Sequence, residues 1–184
     1  MESDGTNILL LLSGGVDSTA LLDFYLKNKR TVETVFIDYG QAAAEAELKS
    51  SEKISKHYGV KYSIINLKNE KSFIEGEVPF RNAFLIFSSL MHTEFSQGII
   101  SMGIHSGTEY SDCSEEFQNA INELLKCYTG GELIFFAPFL KWTKKDIFDY
   151  CERNNIPIEM TYSCERGEIP PCGKCMSCRE RSMF

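Results

Sequence analysis

The stretch Ile8-Leu9-Leu10-Leu11-Leu12-Ser13-Gly14-Gly15-Val16-Asp17-Ser18-Thr19 decides the fold. A short apolar run broken by Gly-Gly reads as a buried parallel strand ending in a sharp turn. Leu21, Leu22, Tyr25 and Leu26 follow at the spacing of one helix face, so the unit is strand, glycine turn, helix. The first N–H groups of a helix lack partners and favour negative charge. Gly14 and Gly15 let a ligand approach the backbone, and Ser13, Ser18 and Thr19 add hydroxyls. Together these make a phosphate nest. Asp17 would repel phosphate unless Mg²⁺ lay between them. No lysine follows the glycines, which excludes a Walker-type loop.

Ser-Gly-Gly-x-Asp-Ser after a first strand resembles the pyrophosphate-loop ATPases. The resemblance implies that ATP is split between its α and β phosphates while a substrate oxygen attacks the α-phosphorus.

The 184 residues suit one domain with a small appendage. A net charge of −7 argues against a broad nucleic-acid surface. No apolar run approaches the ~20 residues of a membrane span. The acidic start, Met1-Glu2-Ser3-Asp4, does not read as a signal peptide. A cytoplasmic protein is expected.

Outward from the glycine turn, strand and helix patterns alternate. Thr31–Ile37 is β-branched and aromatic, Gln41–Tyr58 favours helix, and Val60–Leu67 reads as a third strand. Gly98–Gly103 and Leu133–Ala137 supply two more. The expectation is a five-stranded parallel α/β sheet, with ligands at the carboxyl ends of its strands. Asp38, Tyr39 and Gln41 stand at that edge. Lys68–Pro79 reads as a loop that orders over a ligand, and Arg81 and Asn82 open an apolar helix. Arg81 suits a bidentate clamp on phosphate or carboxylate. The segment after the fourth strand, with His105, Tyr110 and Asp112, has the composition of a substrate pocket. Asp112 and Ser114 also suit caps of the helix that follows. Thr143 reads as the N-cap of a last helix, where Lys144 opposes the dipole and so suggests a nearby anion.

Four of the seven cysteines crowd the end: Cys164, Cys172, Cys175 and Cys178. Four thiolates with no open position point to structural Zn²⁺. An iron–sulfur cluster is the alternative, since Cys-x₂-Cys-x₂-Cys also occurs in ferredoxins. Domain limits of 1–155 for the α/β part and 156–184 for the cysteine segment follow.

The order of motifs is similar to that of the 7-cyano-7-deazaguanine synthases. It runs from Ser-Gly-Gly-x-Asp-Ser through Tyr39-Gly40-Gln41, Val78-Pro79-x-Arg81-Asn82 and Asp112-Cys113-x-x-Glu116-Phe117 to the cysteine knot. The resemblance covers nearly the whole chain. It implies the adenine-nucleotide α-hydrolase (Rossmann-like) fold, Zn and Mg, and ATP activation of 7-carboxy-7-deazaguanine for attack by ammonia. It implies ATP binding by Leu12, Ser13, Gly14, Gly15, Val16, Asp17, Ser18, Thr19, Asp38 and Arg81, with Asp17, Arg81 and Lys144 catalytic. Tyr39, Gln41, Asn82, His105, Tyr110 and Asp112 would hold the acid, Tyr39 and Tyr110 by stacking and Asp112 by accepting from its guanine-like N–H edge. A homodimer is also expected.

Three departures stand out. Ala42-Ala43 replaces the family's Arg-His, Phe80 replaces a glycine, and the segment before Asp112 is short. The pattern resembles short antiphage-defence relatives that join the activated acid to an amine of a partner protein. A non-catalytic nucleotide-binding subunit is a further alternative.

Overall fold

The computed structural model describes residues 6–67, 73–74, 76–105 and 110–183. Five strands, β1 (Asn7–Leu11), β2 (Thr31–Asp38), β3 (Lys61–Asn66), β4 (Gly98–Met102) and β5 (Leu133–Phe135), form one parallel sheet in the order β3-β2-β1-β4-β5. The helices are α1 (Val16–Lys27), α2 (Ala44–Tyr58), α3 (Arg81–His92), α4 (Glu115–Thr129), α5 (Lys144–Asn154) and the short α6 (Met176–Arg181). The sheet and its five strands match the sequence expectation; α6, inside the cysteine segment, was not foreseen.

Strand alternation divides the core. Ile8, Leu10 and Leu12 point to one face, where they meet Leu21 and Leu22 of α1, Ile54 of α2 and Ile147 and Phe148 of α5. Leu9 and Leu11 point to the other, against Ile86 of α3 and Ile121 and Leu125 of α4. Both faces are covered, so β1 reads as continuous leucine rather than as an alternating pattern.

The chain runs from β1 outward through β2 to β3, then crosses back to place β4 on the other side of β1. Between β1 and β4 successive connections leave in opposite directions, and the crevice beyond their carboxyl ends is the place where such sheets bind ligands. The glycine turn after β1 and the residues after β4 both open there.

Candidate active site

The turn between β1 and α1 is built around Gly14, whose φ is +83°. A Cβ there would lie 2.7 Å from the Glu47 carbonyl oxygen and 2.9 Å from the Ser50 Cβ and the Ser51 nitrogen. No other residue fits where the loop crosses α2. Its carbonyl accepts from Ser50 Oγ at 3.0 Å and from the Tyr162 N–H at 2.9 Å, so α2 and the C-terminal segment both hold the turn. At the exit of β4, a Cβ on Gly103 would sit 2.9 Å from the Asp17 carbonyl carbon and the Ser18 nitrogen. That glycine lets β4 pass against the first turn of α1.

Among the described residues no side chain caps α1. Its first N–H groups open onto a cavity of about 300 Å³ lined by Leu12, Ser13, Gly15, Val16, Asp17 and Ser18. Arg81, Asn82 and Lys144 also reach this cavity. A second cavity of about 230 Å³ shares Asp17, Tyr39, Gln41, Glu47, Arg81 and Lys144 with the first, and adds His105 and Tyr110. Thus one crevice has two lobes that meet around Asp17, Glu47, Arg81 and Lys144.

Lys144 is the first residue of α5, set by a capping box between Thr143 and Asp146. Its Nζ donates to both oxygens of Asp17 at 2.8 Å and lies 3.6 Å from Glu180 Oε2 on α6. The anion expected near Lys144 includes a carboxylate of the chain itself. His105 Nε2 stands 3.7 Å from Asp17 Oδ2. Burial holds this imidazole below its ordinary range, against the pull of Asp17, with Lys144 adding to the lowering.

Gln41 is fixed at three points. Its Oε1 accepts from the Tyr39 N–H at 2.9 Å, and its Nε2 donates to the Ile37 carbonyl at 3.2 Å and to Glu47 Oε2 at 3.0 Å. Burial pushes the Glu47 carboxyl up to about 7, with Gln41 and Arg81 pulling the other way. Burial likewise raises Tyr39, partly offset by Arg81. Phe73 pairs with the turn after β2 through Ala42 N–H to Phe73 O at 2.8 Å and Phe73 N–H to Gly40 O at 3.1 Å. It thereby brings its ring 5.8 Å from Tyr39. Residues 68–72 and 75 of the expected ligand loop, and 106–109 of the expected pocket segment, lie outside the described residues.

Four expected site residues are not among the cavity walls. Gly14 is spent on the turn itself. Thr19 is fully buried and its Oγ1 donates to the Gly15 carbonyl at 2.8 Å. Asp38 is 8% exposed, and its Oδ1 accepts from the Gly40 N–H at 3.1 Å. Asp112 sits behind the start of α3, where its Oδ2 accepts from the Asn82 N–H at 3.4 Å and its carbonyl from Asn82 Nδ2 at 3.3 Å. It is not the cap of α4 either; that is Ser114, whose Oγ accepts from the Phe117 N–H at 3.1 Å.

The sequence reading missed Glu47 and the wall contributed by the C-terminal segment, Tyr162, Glu165, Ser177 and Glu180. Glu47 had a signal. In a parallel sheet the helix after a strand starts at the ligand edge, so acids in the first turns of α2 were candidates. Two residues turn the helix by about 200°. That separates Glu47 from Glu45, whose side chain is 83% exposed and pairs with Lys49 at 2.6 Å.

The sulfurs of Cys164, Cys172, Cys175 and Cys178 lie within 4.8 Å of one another, a group that could hold a metal ion. The Cys172 sulfur accepts from the N–H groups of Lys174 and Cys175 at 3.4 Å, and Cys172 N–H points to Cys164 Sγ at 3.4 Å. Burial raises the Cys164 thiol, but backbone N–H groups outweigh it and bring the thiol below its ordinary range. Such donors stabilise thiolate, the form that ligates. Tetrahedral zinc–thiolate bonds set sulfurs ~3.8 Å apart, and Cys172 and Cys178 already stand at 3.9 Å. The donor set fits the ion.

A family profile described as "Queuosine biosynthesis protein QueC" matches residues 7–77 and 68–183. The chain belongs to the QueC family. It is 32% identical to a 7-cyano-7-deazaguanine synthase of Persephonella marina over 96% of this chain and 90% of that one. It is 30% identical to another from Desulfotalea psychrophila over 94% and 90%. In fold it is similar to a U34-tRNA thiolase of Methanococcus maripaludis solved with its iron–sulfur cluster (TM-score 0.59, 13% identity), covering 96% of this chain and 64% of that one. It is also similar to a 4-thiouridine synthetase solved with RNA and bound ATP (TM-score 0.55, 17% identity), covering 84% and 42%. The last two likenesses concern fold alone. They agree with the adenine-nucleotide α-hydrolase type. Among the described residues no helix is long and apolar enough to cross a membrane.

Proposed function

We propose that the protein uses ATP to adenylate 7-carboxy-7-deazaguanine, that ammonia displaces AMP from the activated acid to give an amide, and that activation of the amide oxygen by a second ATP lets it leave so that the nitrile forms. The observation that carries this reading is the two-lobed crevice: one lobe opens on the uncapped start of α1, and both share Asp17, Arg81 and Lys144. An acid in one lobe and ATP in the other would meet there. A carboxylate resists ammonia until one of its oxygens becomes a good leaving group, and adenylation makes it one.

The chain's own groups suit that task. The N–H groups of α1 with Ser13 and Ser18 bind the pyrophosphate end. Lys144 and Arg81 offset charge developing at the α-phosphorus. Tyr39 and Tyr110 stack on the flat ring, and Gln41, Asn82 and His105 orient it. Asp112 acts from behind, by setting the first turn of α3 and with it Arg81 and Asn82. Asp17 would hold Mg²⁺, which would neutralise charge on the phosphates. The α/β part, 1–155, does the chemistry, and the segment 156–184, with zinc bound by its four cysteines, closes one wall of the crevice.

The test is mass spectrometry of products formed from ATP, 7-carboxy-7-deazaguanine and ammonia. The expected products are AMP, pyrophosphate and the nitrile. Unchanged ATP and acid would overturn the reading.

One observation favours a second acceptor. Phe80, beside the crevice wall formed by Val78 and Arg81, holds φ at +66° and is 85% exposed. A protein amine as nucleophile, docked on that ring, would appear in the same experiment as a conjugate once a partner is supplied.

A further inference from the structure

Among the described residues three carboxylates line both lobes of the crevice: Asp17, Glu47 and Glu165. Asp17 gives both oxygens to Lys144. Glu165 is also engaged, with Oε1 accepting from the N–H and Oγ of Ser177 and Oε2 from the Gly76 N–H. Glu47 differs. Its Oε2 takes the hydrogen bond from Gln41 Nε2, and no described residue donates to its Oε1. The Gln41 amide cannot turn away, because Tyr39 N–H and the Ile37 carbonyl fix its oxygen and nitrogen. The carboxyl is therefore held through Oε2 at the junction of the lobes, with Oε1 accepting from no described residue.

We propose that Glu47 accepts the proton released when a nitrogen nucleophile attacks the activated acyl carbon, an assignment that rests on the acid-activating reading above. The nitrogen lone pair forms the C–N bond. The acyl C–O bond to AMP breaks and its electron pair leaves with AMP. One N–H proton passes to Glu47 Oε1. Efficient general bases titrate near the working pH, and burial brings this carboxyl to about 7. The charged and titratable groups around it come from several elements. Asp38 at the end of β2 raises it and Arg81 of α3 lowers it. Tyr39, Tyr162, Glu165, Asp17 and Lys144 share its crevice.

The experiment compares two rates in the intact protein. Exchange of labelled pyrophosphate into ATP, dependent on 7-carboxy-7-deazaguanine, reads activation. Hydroxamate formation with hydroxylamine, a nucleophile already unprotonated at neutral pH, reads capture. In Glu47→Gln the ratio of capture to exchange is expected to fall ~10²–10⁴-fold, and the capture profile should lose its inflection near 7. Glu47→Asp should recover part of the ratio. An unchanged ratio and pH profile in Glu47→Gln would overturn the proposal while leaving acid activation standing, and so would equal loss of both rates. Wild-type protein without acid-dependent exchange would instead overturn the underlying reading, and this assignment with it.

Discussion

Lys144 Nζ lies 2.8 Å from both carboxylate oxygens of Asp17, a contact between residues 127 positions apart that ties the first turn of α5 to the first turn of α1. Side-chain exposures of 21% and 23% put the pair within the crevice wall rather than in bulk water. On the proposed function, a metal-bound nucleotide entering there would need Asp17 free, and Lys144 would then be released toward phosphate. Asp17→Asn keeps the size and removes the charge; Lys144→Ala removes the cation. Each is expected to lower AMP and pyrophosphate formation by ~10²–10³-fold, as loss of one preorganised charge-stabilising group does. Formation at the wild-type rate in Asp17→Asn would show that its charge has no part in catalysis.

Metal analysis is expected to find one zinc per chain. Removing it, or introducing Cys172→Ser, should lower the melting temperature and weaken activity together, because the binding energy of a structural zinc is folding energy. The knot also carries α6, which places Ser177 and Glu180 in the crevice wall. Cys127 is exposed on α4 and outside the four-cysteine group, and Cys127→Ser should change neither. Iron in the purified protein would refute zinc.

Asp112→Ala removes the acceptor of the Asn82 N–H at the start of α3. A stability loss of ~1 kcal/mol is expected in urea unfolding, the usual cost of an N-terminal capping side chain. Calorimetry should show weaker binding of 7-carboxy-7-deazaguanine as Arg81 and Asn82 lose their support. Unaltered affinity would separate Asp112 from the binding site altogether.

Phe80→Gly is expected to stabilise the fold by about 1 kcal/mol. A left-handed backbone costs a residue with a Cβ ~1–2 kcal/mol, and glycine adopts it freely at some entropic expense. Since Phe80 is 85% exposed, little burial is lost. A lower denaturation midpoint in Phe80→Gly would mean that the ring makes contacts the exposed position does not suggest.

Period and punctuation along the chain were enough for five parallel strands, the helices between them, the glycine turn and the cysteine cluster, though not for α6. Five buried aliphatic residues followed by Gly-Gly can hardly do otherwise, and Thr143 with Asp146 caps α5 by contacts three residues apart. What local rules could not reach is which way a side chain faces once elements cross. Thr19 and Asp38 lie in or beside motifs with phosphate or ligand character, yet each bonds to backbone two to four residues away. Asp112 turns to α3 rather than to the crevice, because α3 starts beside it. Glu47 and Glu45 share a helix turn and composition, and only the rotation of α2 against the glycine turn sends one into the crevice and the other to solvent. The sequence alone determined the backbone path and the donor types. Their meeting, as in Lys144 with Asp17 and Glu180, was decided by tertiary packing, since the attraction acts across a few ångströms of space and takes no account of distance along the chain.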